Sequence, residues 1–338
     1  MKMKAIITAA TIILLLLLSG CGSKNKEQPA TAEKELDRVT VANWSQPLSE
    51  QTNLLVSEEK DFFRNQGLSV ELIPGAGGGD AIKNIISGKA DIAFTDPGSL
   101  YFALNQGGKL KVIYNIYPQN VFNVVSLKER NILKPEDLKG KKIGVYSFSS
   151  GTRQNLLVLL NQAGLTEKDV TIVETGLLNF APLMQGQVDA TAATDTGLVT
   201  AMEKGLVDVN VLKVKDYLNV PSDVFVVTEK TYNEKKDMLK KFIEGYQNSA
   251  EWMINHPEEA ADLAVKYAID GKDQKHNLEI IKLRNESSIS NATYERGLGA
   301  LEADVLQQGA DTYKKLGLIG KDLNMEDVIA EDLLPKMK

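Results

Sequence analysis

Two hydrophobic periods alternate along most of this chain. Short apolar or alternating runs predict β-strands near Val39–Ala42, Val70–Ile73, Ile92–Phe94, Val112–Ile116, Phe122–Leu127, Lys142–Val145, Thr171–Glu174, Ala190–Thr194, Val209–Val214 and Val224–Thr228. Between several of them the apolar positions recur at a spacing of three or four. One such stretch, Ser49 to Asn65, places Leu54, Leu55, Phe62 and Phe63 on one helical face and stops at Gly67; another opens at Asp80, carries Ile82, Ile85 and Ile86, and ends at Gly88; a third runs from Gln154 to Gln162. Strands that alternate with helices imply an α/β architecture with mostly parallel sheets. From about Lys235 only the helical period remains. Leu239, Phe242, Ile243, Tyr246, Ala250, Met253 and Ile254 form a stripe up to Pro257, which is suited to the first position of a helix over Glu258–Ile269. These stripes read as packing against a sheet, and no further role is assigned to that half.

The first residues follow neither period. Met1-Lys2-Met3-Lys4 is basic, Ala5–Leu18 is an apolar stretch of 14 residues, and Leu18-Ser19-Gly20-Cys21 follows. A spanning helix needs about 20 apolar residues, so the pattern is that of a signal peptide over residues 1–20. Leu-Ser-Gly-Cys resembles the bacterial lipobox, which implies cleavage before Cys21 and a lipid on that cysteine. Cys21 is the only cysteine in the chain, so an internal disulfide and a cysteine-based metal site are both excluded. Residues 21–36 have little to bury and read as a flexible tether behind the anchor.

The remaining 300 or so residues exceed what one compact core usually holds, which predicts two lobes. Removal of Lys2 and Lys4 leaves 37 basic residues against 45 acidic ones, a formal charge of −8. That balance speaks against nucleic acid and against charge-driven adhesion to anionic lipid. There is also an internal echo: Ser87-Gly-Lys-Ala-Asp-Ile-Ala-Phe94 matches Gln185-Gly-Gln-Val-Asp-Ala-Thr-Ala192, 98 residues later. Two lobes of similar topology would produce it.

In open α/β sheets, ligands bind beyond the carboxyl ends of the strands. The segments there are Asn43-Trp44-Ser45, Pro74 to Asp80 with its glycines, Thr95-Asp96-Pro97-Gly98-Ser99, Tyr146 to Arg153, and Asp195-Thr196-Gly197. Small polar residues with a few aromatics suit a small-molecule pocket. The glycine run lacks the Gly-Lys-Ser/Thr ending of a nucleotide loop. Ser149-Ser150-Gly151-Thr152 opens a helix and is either an anion site or plain N-capping. Asp96, Asp195 and Asp223 are either caps or, where two of them face a cleft, partners for an amine. Arg153 either clamps an anionic group or lies on a solvated face.

Four segments resemble the solute-binding proteins of ABC importers, in the group that takes up sulfonates, nitrate, taurine and thiamin precursors. They are Glu58 to Leu72 (EEKDFFRNQGLSVEL), Ser87 to Phe94 (SGKADIAF), Asp137 to Val145 (DLKGKKIGV) and Gly186 to Ala190 (GQVDA). The resemblance implies a type II periplasmic-binding-protein fold: two α/β lobes joined by two hinge crossovers near 120–127 and 221–228, with ligand in the cleft between them. Lobe 1 would be 37–122 plus 226–338 and lobe 2 123–225. It also implies that Trp44, Gly77, Gly78, Thr95, Asp96, Ser149, Ser150, Thr152 and Asp195 line the cleft. The implied partners are a small polar solute and a permease in the same membrane, with the protein a monomer. Acidic residues at several strand ends favour an aminopyrimidine thiamin precursor, or a zwitterion such as taurine, over a simple inorganic anion. Related pyrimidine synthases of this fold use histidine and a cysteine-rich iron motif; here only His256 and His276 occur, both in the helical half, so no catalytic residue, cofactor or metal is expected.

Overall fold

The structure is a computed structural model that describes residues 36–57, 59–178 and 180–335; the expected signal peptide and Cys21 lie outside the described residues. No helix among the described residues is long and apolar enough to cross a membrane.

The strands are β1 (Asp37–Ala42), β2 (Leu68–Ile73), β3 (Ile92–Thr95), β4 (Leu110–Tyr117), β5 (Phe122–Leu127), β6 (Lys142–Val145), β7 (Thr171–Glu174), β8 (Ala190–Thr194), β9 (Val209–Lys213) and β10 (Asp223–Thr228). The helices are α1 (Thr52–Leu55), α2 (Gly78–Ile86), α3 (Pro97–Asn105), α4 (Gly151–Gln162), α5 (Ala181–Met184), α6 (Asp195–Glu203), α7 (Glu229–Glu234), α8 (Lys236–Asn255), α9 (Pro257–Tyr267), α10 (Gln274–Ser287), α11 (Asn291–Arg296) and α12 (Ala303–Lys315).

Two five-stranded sheets form, in the orders β2-β1-β3-β10-β4 and β7-β6-β8-β5-β9. They are the same design used twice. In each, a central strand pairs in parallel with two neighbours, β1 with β2 and β3, β6 with β7 and β8. In each, the fourth strand has crossed from the other half of the chain and pairs antiparallel on both sides, β10 with β3 and β4, β5 with β8 and β9. The sheets are therefore half parallel and half antiparallel, not mostly parallel, because a strand that enters from the other sheet arrives running the opposite way. The crossings lie between β4 and β5 and between β9 and β10, so Phe122 opens a strand of the second sheet and Asp223–Phe225 belong to the first.

The echoed motif has a structural basis. Gly88 and Gly186 both take left-handed backbone, φ 73° and 69°, which ends a helical turn and re-aims the chain. The aspartate that follows then brackets the strand of its own sheet that has parallel neighbours on both sides, β1 or β6. Asp91 donates its N–H to the Thr40 carbonyl and its Oδ2 accepts the Thr40 N–H, both at 2.9 Å; Asp189 does the same with Lys142, at 2.7 and 2.9 Å.

The single helix expected over Ser49–Asn65 does not form. A 3-10 turn at Ser49–Gln51 leads into α1, and the chain then unwinds through Asp61, with φ 55°, to a second 3-10 turn at Arg64–Gln66. The apolar residues of this stretch seek different partners. Phe63 stacks on Phe242 of α8 with centroids 5.1 Å apart, while Phe62 leans on Trp252 at 6.2 Å. Elsewhere the helices keep their expected places, with small shifts at their starts. The second helix opens at Gly78, capped by Gly77, so Asp80 sits in its first turn and pairs with Lys83. Pro257 opens α9.

One continuous apolar core runs from the first sheet through α2, α3 and α12 into α4 and the second sheet, by way of Leu100, Tyr101, Leu156, Leu159 and Tyr313. The other face of the first sheet packs Phe94 and Phe225 against Phe242 and Tyr246 of α8. The two sheets thus share a seam at the back, where the N-termini of α3 and α4 meet. The strand ends beyond that seam face each other.

Candidate functional site: a two-chambered cleft between the sheets

The facing strand ends enclose two adjoining spaces that share part of their walls. The inner one, of about 40 Å³, is lined by Trp44, Phe122 and Tyr146, by the carboxyl groups of Glu50, Asp96 and Asp223, and by Gly78, Ser150, Gly151, Thr152 and Thr194. The outer one, of about 340 Å³, shares Trp44, Glu50, Tyr146, Thr152 and Thr194 with it and extends along Leu48, Leu177, Phe180, Ala181, Met184, Ile269 and Ile280.

Trp44, at the end of β1, stands edge-on to both Tyr146 (6.1 Å, 89°) and Phe94 (6.5 Å, 81°). Its indole Nε1 is buried and has no hydrogen-bond partner. A buried donor left unpaired costs about 1–3 kcal/mol. Asp96 follows β3 and caps α3, accepting from Ser99 N (2.8 Å) and Ser99 Oγ (2.7 Å). Burial raises its carboxyl pKa above the ordinary value, against the pull of the Ser99 bonds. Asp223 opens β10, where it pairs with Tyr117 of β4, and its carboxyl makes no hydrogen bond or ion pair with the described residues. Burial pushes its carboxyl well above the ordinary range, and the neighbouring Glu50 carboxylate pushes it further than Arg284 pulls it back.

The closed position of the two halves depends on glycine. A Cβ on Gly77, whose φ is 139°, would lie 2.5 Å from the Ser149 carbonyl oxygen; one on Gly151 would lie 2.7 Å from Phe122 Cζ and 3.1 Å from Asp96 Cγ. Hydrogen bonds lace the same contact: Gly79 N donates to Ser149 O at 2.9 Å, Ser149 Oγ to Ala76 O at 3.0 Å, and Ser147 Oγ to Ala76 O. The hydroxyls of Ser150 and Thr152 are used locally. Ser150 Oγ donates to Ser147 O and Thr152 Oγ1 accepts from Tyr146 N, so Ser150 makes no side-chain cap of α4. The N-terminus of α4 already faces a carboxyl group of the protein, Asp96, where an anion would otherwise be favoured.

On the far side of the cleft lies a buried ionic cluster. Arg284 of α10 is 1% exposed. Its Nη2 donates to Glu50 Oε2 at 2.7 Å and to Thr196 Oγ1 at 2.9 Å, and its Nε donates to Glu50 at 3.0 Å. Nη1 lies 2.9 Å from Asp195 Oδ1, an ion pair without the alignment of a hydrogen bond. Thr196 Oγ1 in turn donates to Glu50 Oε2 at 2.9 Å. Burial alone would lower the guanidinium pKa; the carboxylates of Asp195 and Glu50 more than reverse that and hold the charge. Glu50 and Arg284 belong with the first sheet, Asp195 and Thr196 with the second, so the cluster fastens the halves. His276 of α10 adds a contact to Glu203 of α6 at 2.5 Å.

The expected site residues divide accordingly. Trp44, Gly78, Asp96, Ser150 and Thr152 line the inner chamber. Gly77 and Ser149 meet behind it, and Thr95 is fully buried with an unpaired Oγ1. Asp195 turns to Arg284 and lines neither chamber. Arg153 forms a two-pronged pair with Glu167 outside the cleft (2.9 and 2.8 Å), which resolves its two readings in favour of the solvated face. The expectation that the helical C-terminal half only covers a sheet is corrected by Arg284. The one sequence signal was its position: Ile280, Ile281, Arg284 and Ser287 share the buried stripe of α10.

With this geometry in view, the comparisons are informative. The model of a family described as "NMT1/THI5 like" matches residues 49–260. The riboflavin-binding protein RibY of Chloroflexus aurantiacus is 21% identical over 98% of this chain and 99% of its own. The formylaminopyrimidine-binding protein of Halalkalibacterium halodurans is 22% identical over 85% of each chain. Among solved structures, the alkanesulfonate-binding protein SsuA of Xanthomonas axonopodis pv. citri superposes with a TM-score of 0.70 at 16% identity, covering 88% of this chain and 99% of that one. That likeness shows the shared periplasmic-binding-protein fold.

Proposed function

The chain belongs to the NMT1/THI5-like family, and from that membership we propose that it is the solute-binding component of an ABC importer, a binding protein and not an enzyme. It captures an aminopyrimidine of the thiamin-precursor type between its two lobes and delivers it to a membrane permease. One lobe is built on each sheet, divided at the crossings between β4 and β5 and between β9 and β10, and the lobes close about those two segments.

The charge of the inner chamber carries the choice of solute. Glu50, Asp96 and Asp223 converge there, and Arg284, the cation beside them, already pairs with Glu50 and Asp195. An amino-heterocycle offers N–H donors to carboxyl groups and a flat ring to Trp44 and Tyr146. A sulfonate would bring a second anion to acidic walls. The alkanesulfonate-like reading is therefore the weaker one, despite the fold shared with SsuA.

A thermal-shift panel of aminopyrimidines, taurine, alkanesulfonates and nitrate tests this. A bound solute at 100 times its dissociation constant adds about 2.7 kcal/mol to stability. Stabilisation by sulfonates and not by aminopyrimidines would reverse the assignment. We further propose that the mature protein starts at Cys21, is held by lipid on the outer face of the cell membrane, and acts as a monomer. Two or more acyl chains give a stable hold. Cys21→Ser should move the protein from the membrane to the soluble fraction; retention in the membrane would exclude the lipid anchor.

A further inference from the structure

Resting on the aminopyrimidine reading, we infer that the solute is a two-part molecule, with an amino-bearing ring edge in the acidic inner chamber and a second, apolar or aromatic body in the outer one. The volumes require the division. The inner space, about 40 Å³, is well below the roughly 150 Å³ of a protein cavity that holds a benzene ring, so it admits a polar substituent but no ring. The outer space, about 340 Å³, lies within the usual range for ligand pockets, about 300–1,000 Å³.

The outer walls fit an apolar body. Phe180 and Ile280 are buried within them, while Leu177, Met184 and Ile269 stand 45%, 41% and 50% exposed around the rim. Large apolar side chains grouped at the mouth of a cleft mark a surface that a ligand covers. Leu177, Phe180 and Met184 follow β7 in the second half, whereas Ile269 and Ile280 come from the first. A body lodged here touches both halves and adds to the contact that rewards closure. The two spaces share Trp44, Glu50, Tyr146, Thr152 and Thr194 in their walls, which sets them side by side within reach of one molecule.

Calorimetric titration with matched probes tests this: 2,4-diaminopyrimidine, its 5-benzyl derivative, and phenylmethanesulfonate. The benzyl derivative is expected to bind at least about tenfold more tightly than the parent, from the added apolar burial, and the sulfonate not to bind. Ala181→Phe, which fills the outer chamber, should weaken the benzyl derivative at least tenfold more than it weakens the parent. Leu177→Ser, at a half-exposed position that any folded chain tolerates, should shift the two probes in the same selective way. Equal affinity for parent and derivative, or equal loss of both in the variants, overturns the two-part inference while the aminopyrimidine reading stands. Binding of neither pyrimidine overturns both, and tighter binding of the sulfonate overturns the acidic-chamber assignment.

Discussion

Replacing Arg284 with methionine tests whether the buried ionic cluster is a fastener or an ornament of the fold. The side chain is 1% exposed and serves two carboxylates and a hydroxyl. Methionine keeps much of the volume but leaves Glu50, whose side chain is 11% exposed, with a charge and only the Thr196 hydroxyl to answer it. Breaking a buried pair from one side typically costs about 3–5 kcal/mol, because the stranded charge keeps its desolvation penalty. Asp195, 32% exposed on its side chain, regains water and adds little. The expected loss is therefore about 3–5 kcal/mol, measured by urea unfolding at pH 7 with far-UV dichroism. Adding Glu50→Gln to Arg284→Met removes the stranded charge, so the double variant should recover most of the loss, to within about 1–2 kcal/mol of the parent. Because the cluster joins the two halves, small-angle scattering should also show the single variant more open. A loss below about 1 kcal/mol, or a double variant no better than the single, would refute a dry, charge-balanced cluster.

Two other substitutions separate cleft from core. Asp223→Asn should flatten the pH dependence of stability in the ligand-free protein. Burial raises the Asp223 carboxyl well above its ordinary value, so the folded chain holds a proton that the unfolded chain has lost. Stability from this group is present below the ordinary carboxylate range and falls as pH rises towards the raised value, so the variant should be the more stable one at pH 7. Parallel stability curves from pH 4 to 8 would exclude this. Trp44→Ala should weaken aminopyrimidine binding at least about tenfold and lower unfolding stability by about 1–2 kcal/mol, less than the 3–5 kcal/mol of a fully buried aromatic, since Trp44 is only half-buried. Titration calorimetry beside urea unfolding decides it; a core-sized loss of stability with unchanged affinity would place Trp44 in the core.

Local pattern announced what is local. The repeated Gly-x-x-Asp segments make the same turn twice, because a left-handed glycine needs nothing distant, although the strand residue each aspartate then brackets lies 51 and 47 residues back. Trp44 and Asp96 were visible for a related reason: strand ends are where an α/β sheet exposes side chains to a ligand. Two things were not legible. The stretch from Ser49 to Asn65 has a helical period, but its aromatics answer to α8, 180 residues away, and that tertiary demand unwinds it. Arg284 lies 234 residues from Glu50 and 88 from Thr196, and no spacing rule reaches that far. Asp195, at a strand end like Asp96, illustrates the limit: position placed it near the cleft, and only the arginine opposite decides which way it turns.

The glycines at the seam carry a consequence for how this cleft can evolve. The close approach of the two halves is set by hydrogen atoms where other residues have carbon: Gly77 against Ser149, Gly151 against Asp96. The closed width is thus a matter of omission. A methyl group at these points is a wedge that holds the jaws apart, and at Gly77 it does so from outside the chambers, without touching a bound molecule. Affinity in such a protein has two independent dials. One is the lining of the chambers, which chooses the solute; the other is the thickness of the seam, which chooses how far the jaws may shut on whatever has been chosen.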